Sequence, residues 1–406
     1  MTDAPTADDI ARIFRDESGR CIATLVRVLG SIDLAEDAVQ EAFVTAAQKW
    51  PADGLPPNPG AWITTTARNR AIDRLRREST RDVREAEATA MTEPAEPLDV
   101  GALPDDQLRL IFTCCHPALS VEAQLALTLR LIAGLQTPEI AHAFLVPEAT
   151  MAQRIVRAKK KITATKLPYR VPDAAELPGR LRSVLAVLYL IFTEGHRSST
   201  SDALVRQELC AEAIRLSRLV CDLMPEEPEA VGLLALMLLT DSRRETRVDD
   251  DGVLVPLPDQ DRTRWDREEI AEGHDLVRRC LRRNQPGAYQ VQAAIAAVHT
   301  DAATAQETDW VQILALYDQL VPFAPTPVVQ LNRAVAVAEV RGPAEALAEV
   351  ELLDLEGYVP YHATRADLLR RVGRTAEAID AYDQAIVLTT ADPERRFLQG
   401  RRAALT

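Results

Sequence analysis

Gln136-Thr-Pro-Glu-Ile-Ala-His-Ala-Phe-Leu-Val-Pro-Glu-Ala-Thr-Met-Ala-Gln-Arg-Ile-Val-Arg-Ala-Lys-Lys-Lys161 is the stretch that decides how this chain folds. Thr137-Pro138 opens one short helix, and Pro147 opens a second that runs to about Lys166, because proline's fixed φ and missing N–H suit a first helical turn. Phe144-Leu-Val146 makes a tight apolar turn between them. Thr150, Gln153, Arg154 and Arg157 fall along one side of the second helix, and Lys159 to Lys161 close it, which is the arrangement of a helix-turn-helix. A plain helical hairpin would satisfy the same apolar pattern. The segment Gln136 to Arg170 nevertheless carries seven bases against two acids, +5, and the bases cluster on the second helix.

That local charge stands against the whole. The 406 residues hold 47 Lys and Arg against 61 Asp and Glu, a net charge of -14, so any contact with nucleic acid must be local. The length suggests two or three domains. Aromatic residues at 4%, hydrophobic residues at 47% and only 16 Gly favour helices over sheets.

Working outward, Leu108 to Cys115 is helical in pattern and stops at His116-Pro117, and Ser120 caps a helix to Ala133. Before these, Asp82 to Asp106 has eight acids, one base, three prolines and few large apolar residues, which reads as a linker. Further upstream, Asn58-Pro-Gly-Ala-Trp-Ile-Thr-Thr-Thr-Ala-Arg-Asn-Arg-Ala-Ile-Asp-Arg-Leu-Arg-Arg77 gives a helix from Pro59 to about Arg77. Five arginines lie close to Thr64, Thr65, Thr66 and Asn69, so phosphate charge and short base-reading groups come together. Pro51 to Pro59 contains four prolines and is expected to be a stiff loop that no helix continues through. Ala7 to Trp50 fits two or three helices, and in Asp33-Leu-Ala-Glu-Asp-Ala-Val-Gln-Glu-Ala-Phe43 four negative charges have no compensating base nearby in sequence. Val39, Ala42 and Phe43 turn inward, leaving Asp33, Asp37, Gln40 and Glu41 on an outer face, either merely solvated or a docking surface.

Taken in order, the acidic helix, the Trp-Ile-Thr-Thr-Thr-Ala-Arg-Asn-Arg segment, the acidic linker and the basic helix-turn-helix resemble an extracytoplasmic-function (ECF) RNA polymerase sigma factor over residues 1 to about 168. The resemblance implies an all-α protein: a region-two bundle at 1–80, a linker at 81–106 and a region-four domain at 107–168. It implies that Asp33, Glu36, Asp37, Gln40 and Glu41 dock on core RNA polymerase. Trp62, Thr65, Arg68, Asn69, Arg70, Asp73 and Arg76, with Arg74 and Arg77 beside them, match the segment that melts and reads the minus-ten promoter element, and Pro51 to Asn58 matches the loop that captures a flipped base. Thr150, Met151, Gln153, Arg154 and Arg157, flanked by Thr137, Lys160 and Lys161, match the surface that reads the minus-thirty-five element. The linker would thread toward the polymerase interior.

Residues 169–406 exceed the short members of that family and resemble the subgroup with a helical, tetratricopeptide-like extension, of which Tyr189-Leu-Ile-Phe-Thr-Glu-Gly195 and Asp259-Gln-Asp-Arg-Thr-Arg-Trp265 look like recurring features. The residues themselves give an internal repeat. Ala334 and Ala366 are 32 apart, as are Ala344-Glu-Ala-Leu347 and Ala376-Glu-Ala-Ile379, a period typical of stacked helical hairpins. One polar stretch, 241–266, interrupts the helices, and Val248 to Val255 is expected to form a small hairpin around Asp251-Gly252. The resemblance implies that the extension regulates or supports the sigma core and contacts it or the polymerase.

Other chemistry is weighed and set aside. Adjacent Cys114-Cys115 with His116 suit one tetrahedral zinc poorly, Asp249 to Asp251 lack the terminal Glu of a calcium loop, and no nucleophile or phosphate-loop motif accompanies Glu194 or His196. No catalytic residue, metal or cofactor is therefore expected. The first residues have no basic start or apolar core of a secretory signal and the longest apolar runs are half a membrane span, so a cytoplasmic protein with no membrane contact is expected. The rival reading is an independent helix-turn-helix regulator whose helical domain senses a ligand or protein.

Overall fold

The computed structural model describes residues 5–83, 103–144, 146–196 and 203–405. It is all-α, with no strand among the described residues, and it divides into two compact units, Met1–Ile191 and Phe192–Thr406.

In the first unit α1 (Ala7–Leu29), α2 (Ile32–Asp53) and α3 (Pro59–Val83) pack as a bundle. Thr6 and Asp9 form a capping box at the start of α1, and Gly30 at φ +67° ends it. Ala35, Ala38, Val39, Ala42, Phe43, Ala46 and Trp50 are the buried apolar stripe of α2, as their three- and four-residue spacing dictates. Ile63, Ala67 and Ala71 face them from α3, and Trp50 meets Trp62 edge-on with ring centroids 5.4 Å apart.

Pro51 does not stop α2 as the sequence suggests. The helix runs on to Asp53, where Gly54 at φ +82° closes it with an N–H bond to the Trp50 carbonyl. Proline so near a helix end removes a single intrahelical donor, which the last turn tolerates. The expected stiff loop shrinks to residues 54–58. At its other end α3 outruns the expected Arg77 by six residues, so the linker begins later; residues 84–102, most of it, lie outside the described residues.

Next come α4 (Leu103–Cys114), α5 (Val121–Leu131), α6 (Thr137–Ala143) and α7 (Glu148–Ala164). Ser120 caps α5 by accepting from Ala123 N–H. Met151, Ile155, Ala158 and Ile162 pin α7 to α5 and α6. This four-helix group lies directly against the bundle, since α1 packs on both α4 and α5. The approach is so close that a Cβ on Gly19 of α1 would sit 2.5 Å from the Ile132 carbonyl oxygen. Asp106, read from sequence as the last residue of the acidic linker, is instead 1% exposed in α4, where Arg27 and Arg109 each reach it at 2.8 Å. Two guanidinium partners are what makes a buried carboxylate tolerable.

Spanning the unit boundary is α8 (Leu177–His196); the rest are α9 (Ala203–Leu223), α10 (Pro228–Asp241), α11 (Arg267–Arg283), α12 (Ala288–Asp301), α13 (Trp310–Leu320), α14 (Pro327–Val340), α15 (Pro343–Val350), α16 (Val359–Arg371), α17 (Thr375–Leu388) and α18 (Asp392–Ala403). Apolar on every side, α10 is buried along nearly its whole length among α9, α11 and α12. From α13 onward neighbouring helices pack in sequence, and the 32-residue repeat has its cause. Ala334 and Ala366, on α14 and α16, are fully buried, as are Ala346 and Ala378 on α15 and α17, where only a methyl group fits between close helices.

The expected hairpin at 248–255 is reduced to one antiparallel bridge, Val248 to Leu254. The Asp249 carboxylate accepts from the N–H groups of Asp251 and Val253, and Leu254 N–H turns away to the Pro393 carbonyl. The bridge keeps its two backbone bonds, Asp249 N–H to the Val253 carbonyl at 3.0 Å and Val255 N–H to the Arg247 carbonyl at 2.8 Å.

Candidate nucleic-acid interface

The acids of α2 divide into two sets. Asp33, Asp37 and Glu41 are exposed, whereas Glu36 is buried at 6% exposure with Gln40 donating to it at 3.2 Å. None of the four acids lacks a base, contrary to the sequence reading. Arg70 reaches Glu41 at 3.4 Å and Arg74 reaches Asp37 at 3.3 Å, both from α3. Arg130 of α5 reaches Glu36 at 2.6 Å, and Lys159 of α7 binds both Glu36 and Asp33. Burial works against the Lys159 charge, but Glu36 and Asp33 outweigh it and hold the ammonium above its ordinary value. These bases lie 29 to 126 residues away in sequence, beyond the reach of helical spacing. Glu36 therefore belongs to the seam between α2 and the helix-turn-helix rather than to the open acidic face.

On α3 the sequence-selected residues present a mixed polar face. Thr65, Asn69, Arg70, Asp73 and Arg74 are exposed, while Trp62 and Arg68 are half-buried and the Arg68 Nε is buried with no hydrogen-bond partner. Asn58 is exposed, and its side-chain oxygen accepts from Ala61 N–H, so it also caps the helix. Arg76 and Arg77 fall on α3, but their side chains lie outside the described residues.

In the helix-turn-helix, Thr150, Gln153, Arg157, Lys160 and Lys161 are exposed and Arg154 half-buried, with Thr137 half-buried at the start of α6. Thr150, Gln153, Arg154, Arg157 and Lys161 share a groove of about 360 Å³ with Ser120, at the N-terminus of α5. A groove with three cations and a helix N-terminus attracts phosphate. Met151 is different. At 1% exposure it belongs to the core under α7, one position off the reading face, and cannot touch a base as it stands.

Sequence reasoning missed Arg130, Lys159 and Arg27 as partners across the bundle, and Tyr169, whose hydroxyl donates to the Ala23 carbonyl at 2.8 Å. Arg130 alone left a trace, a cation inside the apolar run Leu127 to Ile132.

Residues 13–81 match sigma-70 region 2 and residues 109–162 match sigma-70 region 4. Residues 180–281 match a family of unknown function. An uncharacterized protein of Rhizobium meliloti is 44% identical over 388 residues, 94% of this chain and 92% of that one. The ECF RNA polymerase sigma factor SigK of Mycolicibacterium vanbaalenii is 26% identical over 164 residues, 38% of this chain and 82% of that one. No solved structure matches. A region-2 bundle followed by a region-4 helix-turn-helix defines a sigma-70-type initiation factor. The chain belongs to the ECF-type RNA polymerase sigma factors, in a form that carries a C-terminal helical extension. It is an alternative sigma factor that directs transcription initiation, with core RNA polymerase and promoter DNA as its partners.

Proposed function

We propose that the open face of α2, Asp33, Asp37 and Glu41, docks on core polymerase, that Thr65, Asn69, Arg70, Asp73 and Arg74 of α3 read the minus-ten element, and that Thr150, Gln153, Arg154 and Arg157 of α7 read the minus-thirty-five element. The observation that supports this most is the pairing of Asp37 with Arg74 and Glu41 with Arg70. Such exposed pairs are worth about 0–1 kcal/mol each. Polymerase taking the acids would release Arg70 for the DNA strand at little cost and remove one partner of Arg74. Lys159, held by Glu36 and Asp33, is a strut of the protein rather than a DNA contact.

The region-2 and region-4 modules are those of non-enzymatic transcription factors. The extension in this reading has no catalytic function and regulates or supports the sigma core. No helix among the described residues is long and apolar enough to cross a membrane. In this reading the protein acts in the cytoplasm, beside core polymerase. Run-off transcription with purified core polymerase on promoter fragments from the same genome tests the assignment. Specific initiation that needs both components supports it; duplex binding by the protein alone, with no binding to core, would move the reading to an independent regulator.

A further inference from the structure

A groove of about 730 Å³ opens in the extension, where the polar stretch 241–266 meets the helices from α12 to α16. Leu257, Pro258, Trp310 and Val335 give it apolar and aromatic walls, with His299 and Asn332 set among them. A second hollow of about 240 Å³ shares Val335, Asp367 and Arg371 with it, so the depression continues along α14 and α16. The volume suits a small organic molecule.

Four charged side chains line the groove, two acids and two bases, and each is already engaged within the protein. Glu339 pairs with Arg371 at 2.6 Å, and Asp367 is held by Arg370 and by Arg401, each at 2.8 Å. Arg262 donates to the carbonyls of His299 and Ala302 at 2.7 Å and to the Thr308 hydroxyl at 3.3 Å, which satisfies the C-terminal end of α12, and its Nε is buried. Behind it Trp265 lies 4.8 Å from the Arg262 carbon centre and 6.0 Å from that of Arg243. No charge of either sign is left over to hold an ion.

The hydrogen-bonding groups that remain open are neutral. The Asn332 carboxamide, the His299 ring nitrogens and the Trp310 indole N–H make no hydrogen bond among the described residues. Asn332 is exposed in the interior of α14, where it caps nothing and where asparagine is a poor helix former. His299 meets Trp310 edge-on, with ring centroids 5.4 Å apart. Burial pushes this histidine down to about 4, with Arg243 and Arg262 adding to it, so its ring is neutral at pH 7. Asn332 and His299 each offer donor and acceptor capacity without charge.

The geometry points to a binding site in the extension for a small, uncharged, planar molecule, its ring lying along Leu257, Pro258 and Trp310 and a carboxamide-like edge hydrogen-bonded by Asn332 and His299. An ionised head group would lose its water in this groove without gaining a counter-charge. The site therefore rejects both signs, and its ligand is neither a nucleic-acid phosphate nor a polymerase side chain of the kind the first unit meets.

The test is a ligand-observed NMR titration of the full chain with three probes of one shape: 2-naphthamide, the anion 2-naphthoate and the cation 2-naphthamidine. Saturable binding of 2-naphthamide is expected with a Kd on the order of 1 mM or below, as a ligand of this size allows. Both ions should bind at least about tenfold more weakly. Asn332→Leu should weaken 2-naphthamide binding about tenfold and leave the melting temperature at or above the wild type, because no protein hydrogen bond is lost. A groove that held the ring by apolar contact alone would bind it as tightly, or more so, in that variant. No saturable binding of 2-naphthamide, equal affinity for either ion, or undiminished affinity in Asn332→Leu overturns the proposal. Binding is read on the protein alone, so its failure is distinguishable from failure of the polymerase and promoter assignments.

Discussion

In residues 1–191 most charged side chains of the distinctive sequence stretches stay at the surface: Asp37, Glu41, Arg70, Arg74 and Arg157 are exposed, and Glu36 is the buried exception. In residues 192–406 the stretch Asp259 to Trp265 turns one charge inward, Arg262, while Asp259, Asp261 and Arg264 stay exposed. Arg262 ties the end of α12 to Thr308, and Trp265 donates to the Thr246 hydroxyl at 3.0 Å from a position 3% exposed. A distinctive motif in the first region therefore marks a surface for partners, while in the second the motif from Asp259 to Trp265 is a joint between helices.

The largest effect should come from reversing the outward charges. Asp37→Lys with Glu41→Lys is expected to abolish co-elution with core polymerase, a loss of at least about 100-fold, because like charges placed across an interface cost several kcal/mol. Only exposed pairs are broken, so the melting curve should stay near that of the wild type; preserved holoenzyme would erase the contrast between the regions.

Glu36→Ala comes next and works on stability instead. It leaves the half-buried Arg130 without its acid and Lys159 with Asp33 alone, a change worth roughly 3 kcal/mol. Urea unfolding reads it, and an unaltered midpoint would return Glu36 to the docking face.

Arg154→Ala should cost about 1–3 kcal/mol of promoter binding, concentrated at one base pair if Arg154 reads a base edge. An equal loss on every sequence would mark a phosphate contact instead.

The smallest effect separates the regions by pH. His196 is pushed down to about 3 by burial, with Arg247 and Arg243 adding, and His299 down to about 4. Both stay neutral in the fold while the unfolded chain takes up protons near 6.5. The stability they contribute is complete above about 6.5 and is lost as pH falls toward 4. Glu269, pushed up to about 7 by burial and then by Asp241, acts oppositely, favouring the fold at low pH and losing that as pH rises to 7. Two histidines against one glutamate predict a net fall of a few degrees in melting temperature between pH 6.5 and 5. Replacing both histidines by Gln should remove most of it, leaving the part that His116 and His274, also held down by burial, contribute; a fall of unchanged size would place its origin elsewhere.

Much of this was legible in the chain itself. Helix positions followed from three- and four-residue spacing and from Ser120, Pro59 and Pro147, and the helix-turn-helix from its flanking bases. The 32-residue repeat of small residues gave the stacked extension. Pro51 misled because a proline's cost depends on how much helix follows it. Met151 misled because the recognition helix alternates reading and core positions, and motif matching does not say which is which.

The sequence by itself determined the order of the modules, the helical class and the polarity of the surfaces, since each depends on residues within a few turns of one another. Only the tertiary structure decided which charges remain available. Glu36 and Asp106 became buried and paired, while Arg243 and Arg262 were brought together without an acid. Charge pairing depends on distance in space, and Arg130 and Lys159 approach Glu36 from 94 and 123 residues away because helix packing brings them there.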